Sequence, residues 1–291
     1  MKTSSTTHGE SKTTTSTPLI MKSERLVTRP GSMLTSVRDE RRNNRATCKI
    51  TTETDTGLIS YGIGSLILAR GGIPCILTNH HVLPNKEVAK ISRAKFFDDD
   101  DNEILNIEFD VDELFVTHPV SCLGTENCYE GHMKDDKGLD FTLVALVYSK
   151  HLPSSLLMSS DSVPKGASLS TFGYPSGGPK CRSQGDAIGL SVCNRYVHYE
   201  LSTQSGSSGS PVFMDGRFVA LHRATEQDPR DSSKFVNVGS LTKEIWKVLD
   251  FKPEDVHGHA GATTAIKQRA NADVFDFYCA VYDIFDDMTY Y

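Results

Sequence analysis

Short apolar runs, interrupted by glycine, proline or charged residues, recur along the chain from about Gly57 to Gly239. The first two, GLISYGIGSLILA (57–69) and IPCILTN (73–79), are bounded by glycine and rich in β-branched residues, and they read as the strands of a hairpin. ILNIEFDV (104–111), DFTLVALVY (140–148), ASLSTFGY (167–174) and DAIGLSVC (186–193) continue the pattern. RYVHYELS (195–202), SPVFM (210–214), RFVALH (217–222) and KFVNVG (234–239) complete it. Many short strands at this spacing predict an all-β barrel or sandwich with little helix inside. One helix is expected near the end, in SLTKEIWKVLDF (240–251). There Ser240 caps the first turn, and Leu241, Ile245, Trp246, Val248 and Leu249 form a mostly apolar face.

The flanks lack this patterning. Residues 1–50 are Ser/Thr-rich and then basic (RDERRNNR), with little to bury, so they are expected to form a disordered tail. Residues 51–250 carry the strands, in two halves of about 51–150 and 151–250. Residues 251–291 are a separate extension ending in VFDFYCAVYDIFDDMTYY, which mixes aromatic and acidic residues with no basic one. That end suits a strand docked on the barrel, a peptide that contacts a partner, or a segment that occludes a cleft as an autoinhibitory contact.

The net charge of −6 argues against a general nucleic-acid binder. No run of 18 apolar residues is present, so no membrane-spanning helix is expected. The seven cysteines form no CxxC pair and no ligand-like spacing with histidine. Their odd number, behind an N-terminus without a signal-like apolar core, predicts free thiols in an intracellular compartment. No metal and no cofactor is expected. The HGH at 257–259 stands in a weakly patterned segment, and TFGYPSGGPK (171–180) lacks the spacing of a phosphate-binding loop.

LSTQSGSSGSPVF (201–213) places two glycines among six Ser or Thr residues just before a strand. A hydroxyl nucleophile needs a base, and the base needs a group that fixes its tautomer. CILTNHHVL ends a strand with His80 and His81; DKGLDFTLVAL starts one with Asp140, whereas Asp135 and Asp136 sit in what reads as a solvated loop. The order histidine, aspartate, serine, with 59 residues from 81 to 140 and 68 from 140 to 208, suits groups that meet between two consecutive barrels.

On these residues the sequence resembles trypsin-like serine peptidases. Within them it is similar to the disulfide-poor branch that includes bacterial glutamyl endopeptidases and intracellular trypsin-like peptidase domains. The family's T-A-A-H-C stretch is here Thr78-Asn79-His80-His81-Val82, and its G-x-S-G-x-P loop is Gly206-Ser207-Ser208-Gly209-Ser210-Pro211. The resemblance covers roughly residues 57–250. It implies two six-stranded antiparallel barrels of the chymotrypsin-like fold and a C-terminal helix. It also implies a serine endopeptidase that hydrolyses protein or peptide substrates through an acyl-enzyme. Its triad would be His81, Asp140 and Ser208, with the N–H groups of Gly206 and Ser208 as the oxyanion hole. A trypsin-fold module that binds peptides without cutting them is the alternative.

Two departures shape that expectation. Ser207 stands where the digestive branch carries an aspartate for a newly cut N-terminus, and Val82 replaces the cysteine that ties down the histidine loop in secreted relatives. Activation by cleavage is therefore not expected. The glutamyl endopeptidases line the first specificity pocket with a motif matching Leu201-Ser202-Thr203 and Leu221-His222, so the resemblance implies recognition of Glu or Gln by Thr203 and His222. The glycines that should follow His222 are replaced by HRATEQDPRDSS, which puts the substrate-pairing strand in question.

Overall fold

The computed structural model describes residues 37–120, 138–228 and 231–249. Strands β1 (Thr47–Glu53), β2 (Ile59–Ala69), β3 (Ile73–Thr78), β4 (Ser92–Phe97), β5 (Glu103–Val120) and β6 (Leu139–Leu146) close in the order β1-β2-β3-β6-β5-β4. Strands β7 (Ser168–Gly173), β8 (Cys181–Leu190), β9 (Tyr196–Tyr199), β10 (Pro211–Met214), β11 (Arg217–Asp228) and β12 (Asp231–Leu241) close as β10-β11-β12-β9-β8-β7. Every pairing within the barrels is antiparallel. The molecule is thus two closed six-stranded barrels with few helices, the chymotrypsin-like architecture.

Closure removes free sheet edges and gives each strand an inner face to fill. In the first barrel Ile50, Leu66, Ile76, Phe96, Leu143 and Ala145 are buried; Val197, Tyr199, Val212, Val219 and Leu241 fill the second. Strand β6 (LDFTLVAL) is buried at every position, which explains why it is apolar on both faces except at Asp140 and Thr142. Asp140 is set into that strand.

The ordered body begins earlier than residue 51. Helix α1 (Val37–Ala46) and the start of strand β1 occupy the last part, 37–50, of the stretch whose composition predicts disorder. The helix was illegible because it docks through polar groups. Asn43 Nδ2 donates to Gly216 O at 3.0 Å, Arg45 pairs with Asp99 at 2.8 Å, and Glu40 pairs with Arg182 at 3.1 Å. It therefore reaches from the first barrel to the β10–β11 turn of the second. Deleting residues 1–50 removes half of β1, which pairs with both β2 and β4, and is expected to abolish cooperative melting.

Lys180, at the β7–β8 turn, donates to Asn44 O of α1 at 2.7 Å and lies 5.2 Å from the Tyr174 ring centroid. Burial pulls its amine down from 10.5 to about 8. Between those values the unfolded chain holds a proton that the folded chain has released, so stability rises with pH across that window. Lys180→Met removes this rise. The melting temperature of the wild type should gain on that of the variant from pH 7.5 to pH 10.

Helix α2 (Thr242–Leu249) buries Ile245 and Trp246 against β11, β12 and β6, whereas Val248 is exposed. The cap expected from Ser240 is absent. Ser240 lies in β12 and its hydroxyl donates to Leu139 O at 2.6 Å, while the helix starts at Thr242, whose hydroxyl donates to Ser159 O at 2.6 Å. The acidic-aromatic segment, the HGH at 257–259, Asp135 and Asp136 lie outside the described residues.

Candidate active site

The end of β3, the start of β6 and the loop before β10 meet between the barrels. His81 stands in the turn after β3, whose shape is set by Asn79: its carbonyl accepts from Val82 N and Leu83 N, each at 3.2 Å. Asp140 is 1% exposed. Its Oδ2 accepts from His81 Nδ1 at 2.8 Å, and its Oδ1 accepts from the His81 backbone N–H at 3.2 Å. A carboxylate only accepts, so the ring proton is on Nδ1 and the lone pair is on Nε2. Nε2 is buried and makes no hydrogen bond with any described residue.

His80 points elsewhere. Its Nδ1 meets Thr117 Oγ1 at 2.7 Å, Thr117 Oγ1 meets Thr142 Oγ1 at 2.7 Å, and Thr142 donates to Leu83 O at 2.8 Å. The fixed acceptor at the end orients the chain, so each hydroxyl passes its proton onward and His80 donates from Nδ1.

The loop carrying Ser208 leans on the first barrel. Ile63 N donates to Ser208 O at 2.8 Å. Gly209, at φ +88°, packs so closely that a Cβ there would overlap Ile63 O and stand 2.6 Å from Thr78 Oγ1. Since Thr78 is three residues before His81, this contact brings the serine loop to the histidine turn. Gly206 has φ +90°, open to glycine and strained for other residues. Within the loop, Ser207 N donates to Gln204 O and Gly209 N to His222 O, both at 3.0 Å. The N–H groups of Gly206 and Ser208 donate to no described residue. The Ser208 hydroxyl is half-buried and is not hydrogen-bonded to His81.

The implied pocket residues are both deep in the second barrel. His222 is 1% exposed, with Nδ1 at 2.7 Å from the Tyr199 hydroxyl. Thr203 is 3% exposed and donates its hydroxyl proton to Asn237 Oδ1 at 2.8 Å. Its oxygen can still accept, but donating to a substrate would require release of Asn237. Asn237 also accepts from Thr225 Oγ1 at 2.8 Å and donates to Leu201 O at 2.6 Å. Sequence reasoning missed Tyr199 and Asn237. The signal for Asn237 was a polar residue between the apolar positions of KFVNVG, an arrangement that demands hydrogen bonds when buried.

The segment after His222 is a strand despite its missing glycines. β11 continues to Asp228 with a bulge between His222 and Ala224, a distortion common beside active sites. Its pairing with β10 ends at Leu221, His222 N donates to Ser210 O at 2.8 Å, and from His222 to Asp228 the strand pairs with β12.

The fold is shared with solved proteases. The Rv3671c protease from M. tuberculosis, in its active form, is 16% identical; the match covers 79% of this chain and 91% of that one, with a TM-score of 0.50. The serine endoprotease from Yersinia pestis is also 16% identical, with 78% and 69% of the two chains covered and a TM-score of 0.50. At that identity the likeness speaks for the double-barrel fold. No curated protein sequence matches the chain. The model of the trypsin-like peptidase domain matches residues 62–221, more than half of the 291, from the β2 strand to the residue before His222. This chain belongs to the family of trypsin-like peptidase domains.

Proposed function

We propose that the protein is a serine endopeptidase in which Ser208 is the nucleophile, His81 the general base and Asp140 the residue that fixes the base. The two-point hold of Asp140 on His81, through ring and backbone, is the observation that carries this reading. With Nδ1–H held by the carboxylate, Nε2 can take the proton from Ser208 Oγ as the oxygen attacks the scissile carbonyl. The imidazolium formed is stabilised by the same carboxylate. It then returns the proton to the leaving amine, and a water repeats the sequence to release the acyl group. The carbonyl oxygen becomes an oxyanion facing the N–H groups of Gly206 and Ser208; one such donor contributes roughly 3 to 4 kcal/mol to transition-state stability.

For the first pocket the proposal is cleavage after Glu or Gln. The Tyr199 hydroxyl on His222 Nδ1 orients that ring, and the Thr203 oxygen, whose proton goes to Asn237, keeps a lone pair that can accept from an amide N–H; these two observations support the assignment. A site built on such hydrogen bonds rejects side chains lacking the matching group. A peptide library digested by the wild type, with the Ser208→Ala protein as blank and mass-spectrometric readout, should show Gln or Glu before the cut. Arg, Lys or large aromatic residues there would refute the pocket assignment and leave the triad untouched.

The absence of a bond from His81 Nε2 to Ser208 favours the second reading, a peptide-binding module that does not cut. Such bonds tighten in many peptidases only when substrate binds. A fluorophosphonate probe discriminates, because it labels a serine activated by its base and not a silent one. Labelling of wild type and none of Ser208→Ala supports the enzyme; no labelling of either supports the binding module.

A further inference from the structure

The turn that carries Asp140 is held in an unusual way. Three consecutive backbone carbonyls each accept from a side chain distant in sequence. Tyr196 Oη donates to Gly138 O at 2.9 Å, Ser240 Oγ to Leu139 O at 2.6 Å, and Asn79 Nδ2 to Asp140 O at 2.9 Å. Asn79 and Ser240 are fully buried, and Tyr196 is nearly so. Gly138 and Asp140 both have positive φ, +53° and +52°. For an aspartate that conformation persists only where the surroundings over-determine it.

The donors come from both barrels. Asn79 belongs to the histidine turn of the first. Tyr196 and Ser240 face each other as a cross-strand pair between β9 and β12 of the second. Arg223, the residue at the β11 bulge, lies with its guanidinium carbon 4.8 Å from the Tyr196 ring centroid and backs that side chain. The acid strand of one barrel is thus gripped by a pair of hydroxyls on the other.

We infer that Asn79, Tyr196 and Ser240 are positioning residues that clamp the Gly138–Asp140 backbone and so hold the Asp140 carboxylate on His81, making the base's orientation conditional on docking of the second barrel. This rests on the triad reading above. None of the three touches the reacting atoms; each acts through Asp140. Loss of one donor lets the turn relax toward ordinary backbone angles and swings the carboxylate off Nδ1, and a misplacement of that order costs about ten- to hundredfold in rate.

The test is Tyr196→Phe, Ser240→Ala and Asn79→Ala, each in wild-type and Asp140→Asn backgrounds, with kcat and KM measured on one peptide substrate. Each is expected to lower kcat about tenfold or more with KM nearly unchanged. In the Asp140→Asn background the same changes are expected to cost nothing further. Proton NMR of the His81 Nδ1 hydrogen supplies a readout without turnover: its downfield resonance should weaken or shift in the three single variants. An equal loss of kcat in both backgrounds would overturn the clamp, as would unchanged kcat together with an unchanged resonance. If even the wild type fails to turn peptide over, the peptidase reading fails and the resonance alone decides the clamp. Should Asn79→Ala not fold, Tyr196→Phe decides, because it removes a single oxygen.

Discussion

Ser208→Ala is expected to abolish peptide turnover while leaving the melting temperature nearly unchanged. The hydroxyl is half-buried, and the contact that anchors the residue, Ile63 N to Ser208 O at 2.8 Å, belongs to the backbone and survives the substitution. Asp140→Asn keeps the volume and one acceptor but turns the second oxygen into a donor. The amide then faces Nδ1 with N–H, the ring proton moves to Nε2, and the base can no longer take the serine proton. For this substitution in a serine-peptidase triad the fall in kcat is roughly ten-thousandfold. Steady-state kinetics on protein freed of host proteases checks both. Residual turnover by the Ser208→Ala protein at the wild-type rate would remove Ser208 from the mechanism.

Gly209→Ala should cost both fold and activity, and Gly206→Ala activity far more than fold. At Gly209 a Cβ overlaps Ile63 O and crowds Thr78 Oγ1, on a backbone at φ +88°. Neither obstacle is the end of a flexible side chain, so β2 or the serine loop must shift. Overpacking and left-handed strain together amount to about 3 kcal/mol or more. In a domain of this size that corresponds to a fall in melting temperature of about 6–12 °C. At Gly206 the nearest neighbour of an added Cβ would be Tyr174 O at 3.4 Å, ordinary contact, leaving the strain at φ +90° as the main term. Relief of that strain reorients the peptide that supplies one oxyanion donor. Thermal melts beside probe-labelling rates separate the two variants; equal melting temperatures for them would contradict the packing argument.

Much of the fold was open to inspection because a barrel strand writes its environment into its composition. The runs that later appear within β2, β3, β6, β7 and β9–β12 are β-branched or aromatic and bounded by turn residues. The segments that escaped, α1, β1 and β4, are amphipathic or polar. TCKITTE and SRAKFF bury alternate residues, so half of each reads as loop. Helix α1 has no apolar stripe because its docking is a set of hydrogen bonds and ion pairs with Gly216, Asp99 and Arg182. Such partners carry no periodic signal.

The candidate site divides in the same way. The proposed triad, His81, Asp140 and Ser208, and the loop glycines stand in contiguous motifs of the residue types such chemistry requires, and the linear chain was enough to nominate them. Ser240 shows the limit: helical spacing made it a cap, whereas its hydroxyl crosses to the other barrel and takes Leu139 O. Asn79, Tyr196, Tyr199 and Asn237 are ordinary residues whose importance depends on which carbonyl, carbonyl-like oxygen or ring nitrogen stands 2.6–2.9 Å away. The chain alone therefore determined which groups could perform the chemistry, because reactivity belongs to residue type and local backbone. The tertiary structure decided what holds them, because the side chains bonded to the Gly138–Asp140 carbonyls and to His222 lie 23 to 101 residues from those partners and meet only when two barrels close and dock.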